Sequence, residues 1–282
     1  MAILIMVAAV AMLVTMNTLV KVIGPDTHAF QVTFLRNLIA AFVMIPFVLK
    51  AGGVQALKTR RPGLQLVRSV SGLTGVCCFF YAVQRMNVGD VMVISQAVPL
   101  FVTALAVPVL KEKVGWRRTC AVLAGFAGVL LALGPLDQVS FAALIAVLGT
   151  VLWSVTILTV RTLGATDSPA TTTFYYMVFG TLVGALIQPW VWKTPEPDVW
   201  LLFIAIGVLG AIAQLLIAYA LKIGEASVVS PFNYTAIIWG ILIDLAIWHV
   251  YPSPWILAGA AVITVAGLYI FRREGRPVKE TP

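Results

Sequence analysis

Charge is scarce in this sequence. Only 11% of its 282 residues are Asp, Glu, Lys or Arg, against roughly 25% in a water-soluble domain. Hydrophobic residues make up 61%, more apolar surface than a soluble core buries, so the chain is built for a bilayer. Cysteine is scarce: Cys77, Cys78 and Cys120 all lie in apolar stretches. Two adjacent cysteines and an odd third make no disulfide framework, and small apolar filler is their reading. The two histidines, His28 and His249, offer no metal-ligand spacing. No glycine loop followed by Lys is present to cradle a phosphate, which argues against an ATP-driven pump. Neither a Gly-x-Ser-x-Gly elbow nor a His-Glu-x-x-His helix occurs. An intramembrane enzyme is therefore a weaker class, as is a noncatalytic scaffold, and no cofactor is implied.

What the chain has is apolar length. Ten stretches, at about 2–23, 28–49, 64–85, 88–110, 116–134, 139–161, 170–192, 198–221, 225–250 and 254–271, each approach the ~20 residues needed to span hydrocarbon. The first lacks a basic leader region and stays apolar up to Lys21, so it reads as a spanning helix rather than a secretory signal. The connections are short, leaving no room for a soluble domain.

The net charge of +8 is a topology signal. With the N-terminus in the cytoplasm, Lys50, Lys58, Arg60, Arg61, Arg68, Lys111, Lys113, Arg117, Arg118, Arg161, Lys222, Arg272, Arg273, Arg276 and Lys279 fall inside. Only Lys21, Arg85 and Lys193 fall outside. This bias puts both termini in the cytoplasm of an inner-membrane protein. Anionic membrane lipid is a fitting partner, and no nucleic acid is required.

The chain also repeats itself. Met86-Asn87-Val88-Gly89-Asp90 through Ser95 aligns with Leu221-Lys222-Ile223-Gly224-Glu225 through Ser230, and Trp116 through Gly128 aligns with Trp255 through Gly267. A weaker match joins Val20-Lys21 and Gly24 to Val160-Arg161 and Gly164. The unit is half the chain, giving a first repeat over 1–135, a second over 136–272 and a cytoplasmic tail over 273–282. Five spans per repeat is odd, so the second repeat enters the membrane from the opposite side. Basic loops of the first half have counterparts, 192–199 and 249–254, that carry only Lys193. The expected fold is thus all-α and integral to the membrane: ten transmembrane helices as two inverted five-helix repeats around a central cavity. Tandem inverted halves are the pattern of secondary transporters that work by alternating access.

Further segments carry a resemblance: Phe34-Leu35-Arg36-Asn37, Arg60-Arg61-Pro62-Gly63, Phe80-Tyr81-Ala82, Gln96-Ala97-Val98-Pro99-Leu100-Phe101, Lys111-Glu112-Lys113-Val114-Gly115-Trp116 and Gly125-Phe126-Ala127-Gly128-Val129. The second half adds Thr166-Asp167-Ser168-Pro169, Pro231-Phe232-Asn233-Tyr234-Thr235 and Pro252-Ser253-Pro254-Trp255. In this order and spacing they resemble the EamA branch of the drug/metabolite transporter superfamily over nearly the whole chain. The resemblance implies ten helices in a basket and movement of small metabolites. Members are similar to amino-acid exporters, or to carriers of S-adenosylmethionine, riboflavin or nucleotide sugars. One departure stands out. Trp248-His249-Val250-Tyr251 replaces the Gly-Glu pair often repeated before the last helix, so Glu112 alone keeps that acidic position.

The candidate residues follow from the cost of polarity in lipid. Arg36, about eight residues into the second span, must face protein or water; it reads as an anion-binding or gating group, or as a structural arginine. Asp244 is its candidate partner in an outer gate. Glu112 reads as a surface ion-pair member. The fourth and ninth spans carry Gln96, Pro99 and Pro108, then Pro231, Asn233 and Tyr234. Prolines free carbonyls that lipid cannot satisfy, so Pro99 and Pro231 are candidate hinges, or static bends. Tyr81, Trp153, Tyr175, Tyr176, Tyr219 and Trp239 are candidate cavity walls. Asn17, Gln84 and Gln214 are candidates for substrate contact or interhelical bonding. Small residues in the fifth and tenth spans, such as Gly125, Gly128, Gly259 and Gly267, suit close packing, or contact in a homodimer rather than a monomer. The expected function is export of amino acids or related small metabolites, with uptake of a larger metabolite as the alternative.

Overall fold

The computed structural model describes residues 1–50, 58–110, 115–135, 139–224 and 226–274. All regular structure among them is helical. The helices are α1 (Ala2–Ile23), α2 (Ala29–Lys50), α3 (Pro62–Val83), α4 (Val88–Ser95), α5 (Val98–Leu110), α6 (Trp116–Leu133), α7 (Phe141–Leu163), α8 (Pro169–Val191), α9 (Pro197–Ile223), α10 (Ala226–Val229), α11 (Thr235–Trp248) and α12 (Pro254–Glu274). A 3-10 turn, Ser230–Tyr234, joins α10 to α11. Among the described residues, eight spans are long and apolar enough to cross a membrane, with α4 and α5 counted as one; Thr119–Leu133 and Pro254–Ile270 are shorter apolar helices. Leu4, Leu186, Trp190 and Val265 are each more than two-thirds exposed, apolar surface that lipid covers.

Local chemistry sets the helix ends. Ser140 and Ser168 cap α7 and α8 by accepting the N–H of Ala143 and Thr171. Prolines open α3, α8, α9 and α12, where a missing N–H costs nothing. Gly24 and Gly134 end α1 and α6 at φ of 79° and 76°, a conformation that a Cβ would oppose.

The most extensively packed helix pairs run antiparallel, and their contacts fix the register. Between α3 and α7, Ser71 bonds Thr156, Gly75 faces Leu152, and Gly149 faces Cys78. Along α2 and α8, Gln31 meets Lys193, Phe34 meets Gly184, and Asn37 meets Gly180. Met16 of α1 and Arg36 and Ile39 of α2 pack on Gly210 and Gly207 of α9. Between α6 and α12, Gly128 faces Val262 and Gly259 faces Ala132. Gly128 and Gly259 thus serve the α6–α12 contact, whereas Gly125 faces Leu100 and Gly267 faces Tyr234. Along α4 and α11, Gly89 faces Ile241, Met92 faces Gly240, and Gln96 reaches Asn233.

Glu112, Lys111, Lys113, Glu225, Arg276 and Lys279 lie outside the described residues. Two other charges differ from expectation. Arg68, counted on the cytoplasmic side and within the third span, is only 8% exposed. Lys21, counted as an outer loop charge, has a side chain only 15% exposed and is held in an ion pair.

Candidate functional site

The fourth and ninth spans are broken, and the breaks face each other. In the fourth, α4 stops at Ser95 and α5 restarts at Val98, with Pro99 in its first turn. Proline there has no N–H with which to continue the α4 ladder. The carbonyls at the break find side-chain donors on α7: Thr150 donates to Ile94 O at 3.4 Å and Ser154 to Val98 O at 3.3 Å. In the ninth span, Pro231 is the second residue of the 3-10 turn, and Thr235 donates to Phe232 O at 2.6 Å. Gln96 Nε2 then donates to Asn233 O at 3.2 Å. Breaks in the hydrocarbon region are tolerated where protein or a wet cavity satisfies the backbone. Both prolines therefore mark breaks in the helix rather than bends within it.

Tyr234 and Trp239 flank the ninth-span break. The Tyr234 hydroxyl and the Trp239 Nε1–H are both buried and have no partner among the described residues. The hydroxyl lies where a Cβ on Gly267 would be. Trp153 is half-buried one residue before Ser154, with its backbone N against Gly75.

A second polar group lies between α2, α3 and α8. Arg36 is 5% exposed and donates through Nη1 to Tyr176 OH and Asn37 Oδ1, both at 3.3 Å. The Arg68 guanidinium stacks over the Tyr176 ring, 4.1 Å from its centroid. Arg36 is not joined to Asp244, the partner weighed from sequence. Asp244, 3% exposed, instead takes Lys21 Nζ at 3.1 Å and the N–H groups of Val88 and Gly89 at 3.1 and 2.6 Å. A carboxylate there complements the N-terminus of α4, and a lysine reaches it without crossing to α2. Lys21 also sits 4.0 Å from the Trp248 ring centroid.

Beside this ion pair is a cavity of about 470 Å³, with Lys21, Gln84, Arg85, Asn87, Asp90 and Trp255 among its lining. Tyr81 is half-buried nearby, with the Arg85 guanidinium stacked 3.9 Å from its ring centroid. Gln84 has a structural role as well: its Nε2 donates to Gly24 O and Thr27 O at 2.8 and 2.9 Å, tying down the α1–α2 connection. At the opposite end of the bundle, Asp167 accepts from the Thr59 hydroxyl, the Arg60 N–H and Gln65 Nε2. Burial alone raises its pKa, but those hydrogen bonds prevail and hold the carboxyl below the usual range.

The remaining candidates stand apart. Asn17 donates to Leu13 O at 2.9 Å within its own helix. Gln214 is half-buried. Tyr175 and Tyr219 are 36% and 52% exposed, whereas Tyr176, one position on, is 4% exposed. Adjacent helical positions point about 100° apart, so only one of the tyrosine pair enters the α2–α3 contact. Sequence reasoning did not single out Arg68, Lys21, Asn37, Gln65 or Asp167 for these roles. A charge beside spanning sequence was the available signal for Lys21 and Arg68; nothing in one dimension named their partners.

A family model described as the EamA-like transporter family matches the chain twice, over residues 1–134 and 140–272. The chain is 30% identical over 246 residues to a riboflavin transporter of Vibrio cholerae, covering 86% of this chain and 83% of that one. It is 26% identical to an S-adenosylmethionine uptake transporter of Rickettsia prowazekii, over 90% and 86% of the two chains. It is 25% identical to the pseudopaline exporter CntI of Pseudomonas aeruginosa, over 92% of each. A solved crystal structure, 20% identical, matches over 98% of this chain and 99% of that one with a TM-score of 0.66, a likeness of fold alone.

Proposed function

Because this chain belongs to the EamA-like transporter family, we propose that it is a secondary transporter carrying small metabolites across the inner membrane by alternating access. The observation that carries the reading is the contact between the fourth- and ninth-span breaks, where Gln96 Nε2 meets Asn233 O at 3.2 Å. Discontinuous helices that meet in the bundle are where such carriers build their sites.

The two repeats, 1–135 and 136–272, act as inverted halves in this reading. Three features support it: the family model matches once per half, the fourth and ninth spans contact each other antiparallel, and so do the fifth and tenth. The packing also exchanges with itself. Replacing each span by its counterpart turns the α3–α7 contact into the α1–α9 contact, and α2–α9 into α3–α8. The latch at Asp244 closes one end of the path and the Asp167 network the other. Both termini lie in the cytoplasm, as the basic residues favour.

Two cargoes fit. Export of amino acids follows from the zwitterion chemistry available: Arg36 for a carboxylate, and ring faces such as Trp153 and Trp239 for an ammonium. Uptake of a larger metabolite of the S-adenosylmethionine or riboflavin kind is favoured by the named relatives. The cavity of about 470 Å³ also suits it, being in the range that holds drug-sized ligands.

Counterflow in proteoliposomes tests the proposal. Vesicles loaded with unlabelled amino acids, S-adenosylmethionine or riboflavin are mixed with trace labelled compound, with and without a pH gradient. Accumulation of one cargo, reduced in Gln96→Ala, is expected. No accumulation of any across a broadened metabolite panel would defeat it.

A further inference from the structure

The α2–α3–α8 cluster holds two arginines and no acid. Arg36 and Arg68 are 5% and 8% exposed, and Asn37, which accepts from Arg36, is fully buried. Among the described residues the ion pair found is Lys21–Asp244, so neither guanidinium has a carboxylate within 4.0 Å. Four donors are buried without a partner: Arg36 Nε, Asn37 Nδ2, Arg68 Nε and Arg68 Nη1.

Two positive charges around one tyrosine, with unused donors, are costly in a low-dielectric interior unless an anion joins them. Backbone without side chains flanks both. A Cβ on Gly210 would sit 3.1 Å from Arg36 Nε, and one on Gly72 3.3 Å from Arg68 Nη1. The contact between Thr33 and Cys77 sets α2 against α3, placing Arg36 near mid-span and Arg68 closer to the Pro62 end. The Tyr176 hydroxyl accepts from Arg36, leaving its own O–H free to donate.

We propose that Arg36, Arg68, Asn37 and Tyr176 form a subsite for the carboxylate of the transported molecule, resting on the transporter reading only for the anion being cargo. Planar guanidinium forks match the two oxygens of a carboxylate, and Asn37 and Tyr176 supply neutral donors beside them. The two guanidiniums, staggered along α2 and α3, hand the group from mid-membrane toward one face. The cargo then carries an acid function, as an amino acid or the amino-acid portion of S-adenosylmethionine does, and riboflavin does not.

The first test is thermal unfolding of the purified full chain in detergent, followed by tryptophan fluorescence. Sodium acetate, glutamate and phosphate are each compared with chloride at equal ionic strength. Acetate and glutamate are expected to raise the wild-type midpoint and to leave those of Arg68→Gln and Arg36→Gln unmoved, with partial response in Arg68→Lys. Without added anion, Arg68→Gln unfolds no lower than wild type, because an uncompensated charge has gone. A purely structural arginine predicts the reverse. If Arg36→Gln does not fold, Tyr176→Phe replaces it and is expected to weaken the response. An equal shift in Arg68→Gln, no shift in wild type, or a shift with phosphate alone would overturn the subsite.

Counterflow separates the two claims. Decarboxylated S-adenosylmethionine should compete for the carrier at least tenfold more weakly than S-adenosylmethionine. Riboflavin flux indifferent to Arg68→Gln would refute the subsite and leave the transporter standing. Carboxylate binding without flux of any cargo would do the opposite.

Discussion

Lys21 Nζ lies 3.1 Å from Asp244 Oδ1, and that carboxylate also accepts the Val88 and Gly89 N–H groups that open α4. One buried side chain therefore ties α1, α4 and α11 together. Removing one partner of a buried ion pair leaves the other charge uncompensated and costs about 3–5 kcal/mol. Asp244→Asn is expected to lower stability by about 3 kcal/mol in denaturant unfolding in micelles. Lys21→Met added to it should recover part of that loss. A double variant no more stable than Asp244→Asn would show that the carboxylate acts only through the α4 N–H groups.

Tyr234 and Gly267 form a second close relationship. The buried hydroxyl has no partner among the described residues and occupies the space a Cβ at Gly267 needs. Gly267→Ala is expected to destabilise by about 1–3 kcal/mol through overpacking. Tyr234→Phe should be neutral or stabilising, since the unpaired hydroxyl goes. Placed in the Gly267→Ala background it should restore most of the loss, measured by the same unfolding curves.

Acid should loosen the opposite end of the bundle. Asp167 is held below the usual carboxylate range by Thr59, Gln65 and the Arg60 N–H. A folded-state pKa below the unfolded one stabilises above the unfolded value and ceases to do so as pH falls through the folded value. Wild type should therefore unfold at a higher temperature than Asp167→Asn near neutral pH. The difference should shrink as pH drops below about 4. A gap independent of pH would contradict this account.

Orientation can be read with a membrane-impermeant maleimide in a Cys120→Ala background, the other cysteines being buried. Lys58→Cys should label only from the cytoplasmic side. Tyr251→Cys, replacing a residue 78% exposed, should label only from outside. Swapped labelling would reverse the topology inferred from the basic residues.

Much of the fold was legible in one dimension. The expected first span at 2–23 is α1 at Ala2–Ile23, and 170–192 is α8 at Pro169–Val191, because apolar length and flanking Gly, Pro and Ser act locally. The broken spans were legible in part: Pro99 and Pro231 marked the places. That the chain restarts as a new helix at Val98, with its carbonyls satisfied by Thr150 and Ser154, depends on α7 lying alongside. The polar candidates fared unevenly for the same reason. Tyr175 and Tyr176 are indistinguishable as letters, and helix rotation alone separates the exposed ring from the buried one.

The sequence by itself determined the solvent, the number of apolar stretches and their duplication, since these follow from composition and order along the chain. The tertiary structure alone decided which charges meet. Arg36 was the partner weighed for Asp244, and packing instead paired that carboxylate with Lys21, 223 positions away. Arg68 counts toward the cytoplasmic charge in one dimension, and packing of α3 on α8 sets it over Tyr176. Those outcomes turn on register between distant helices, where a shift of one turn, about 5.4 Å, would pair different side chains.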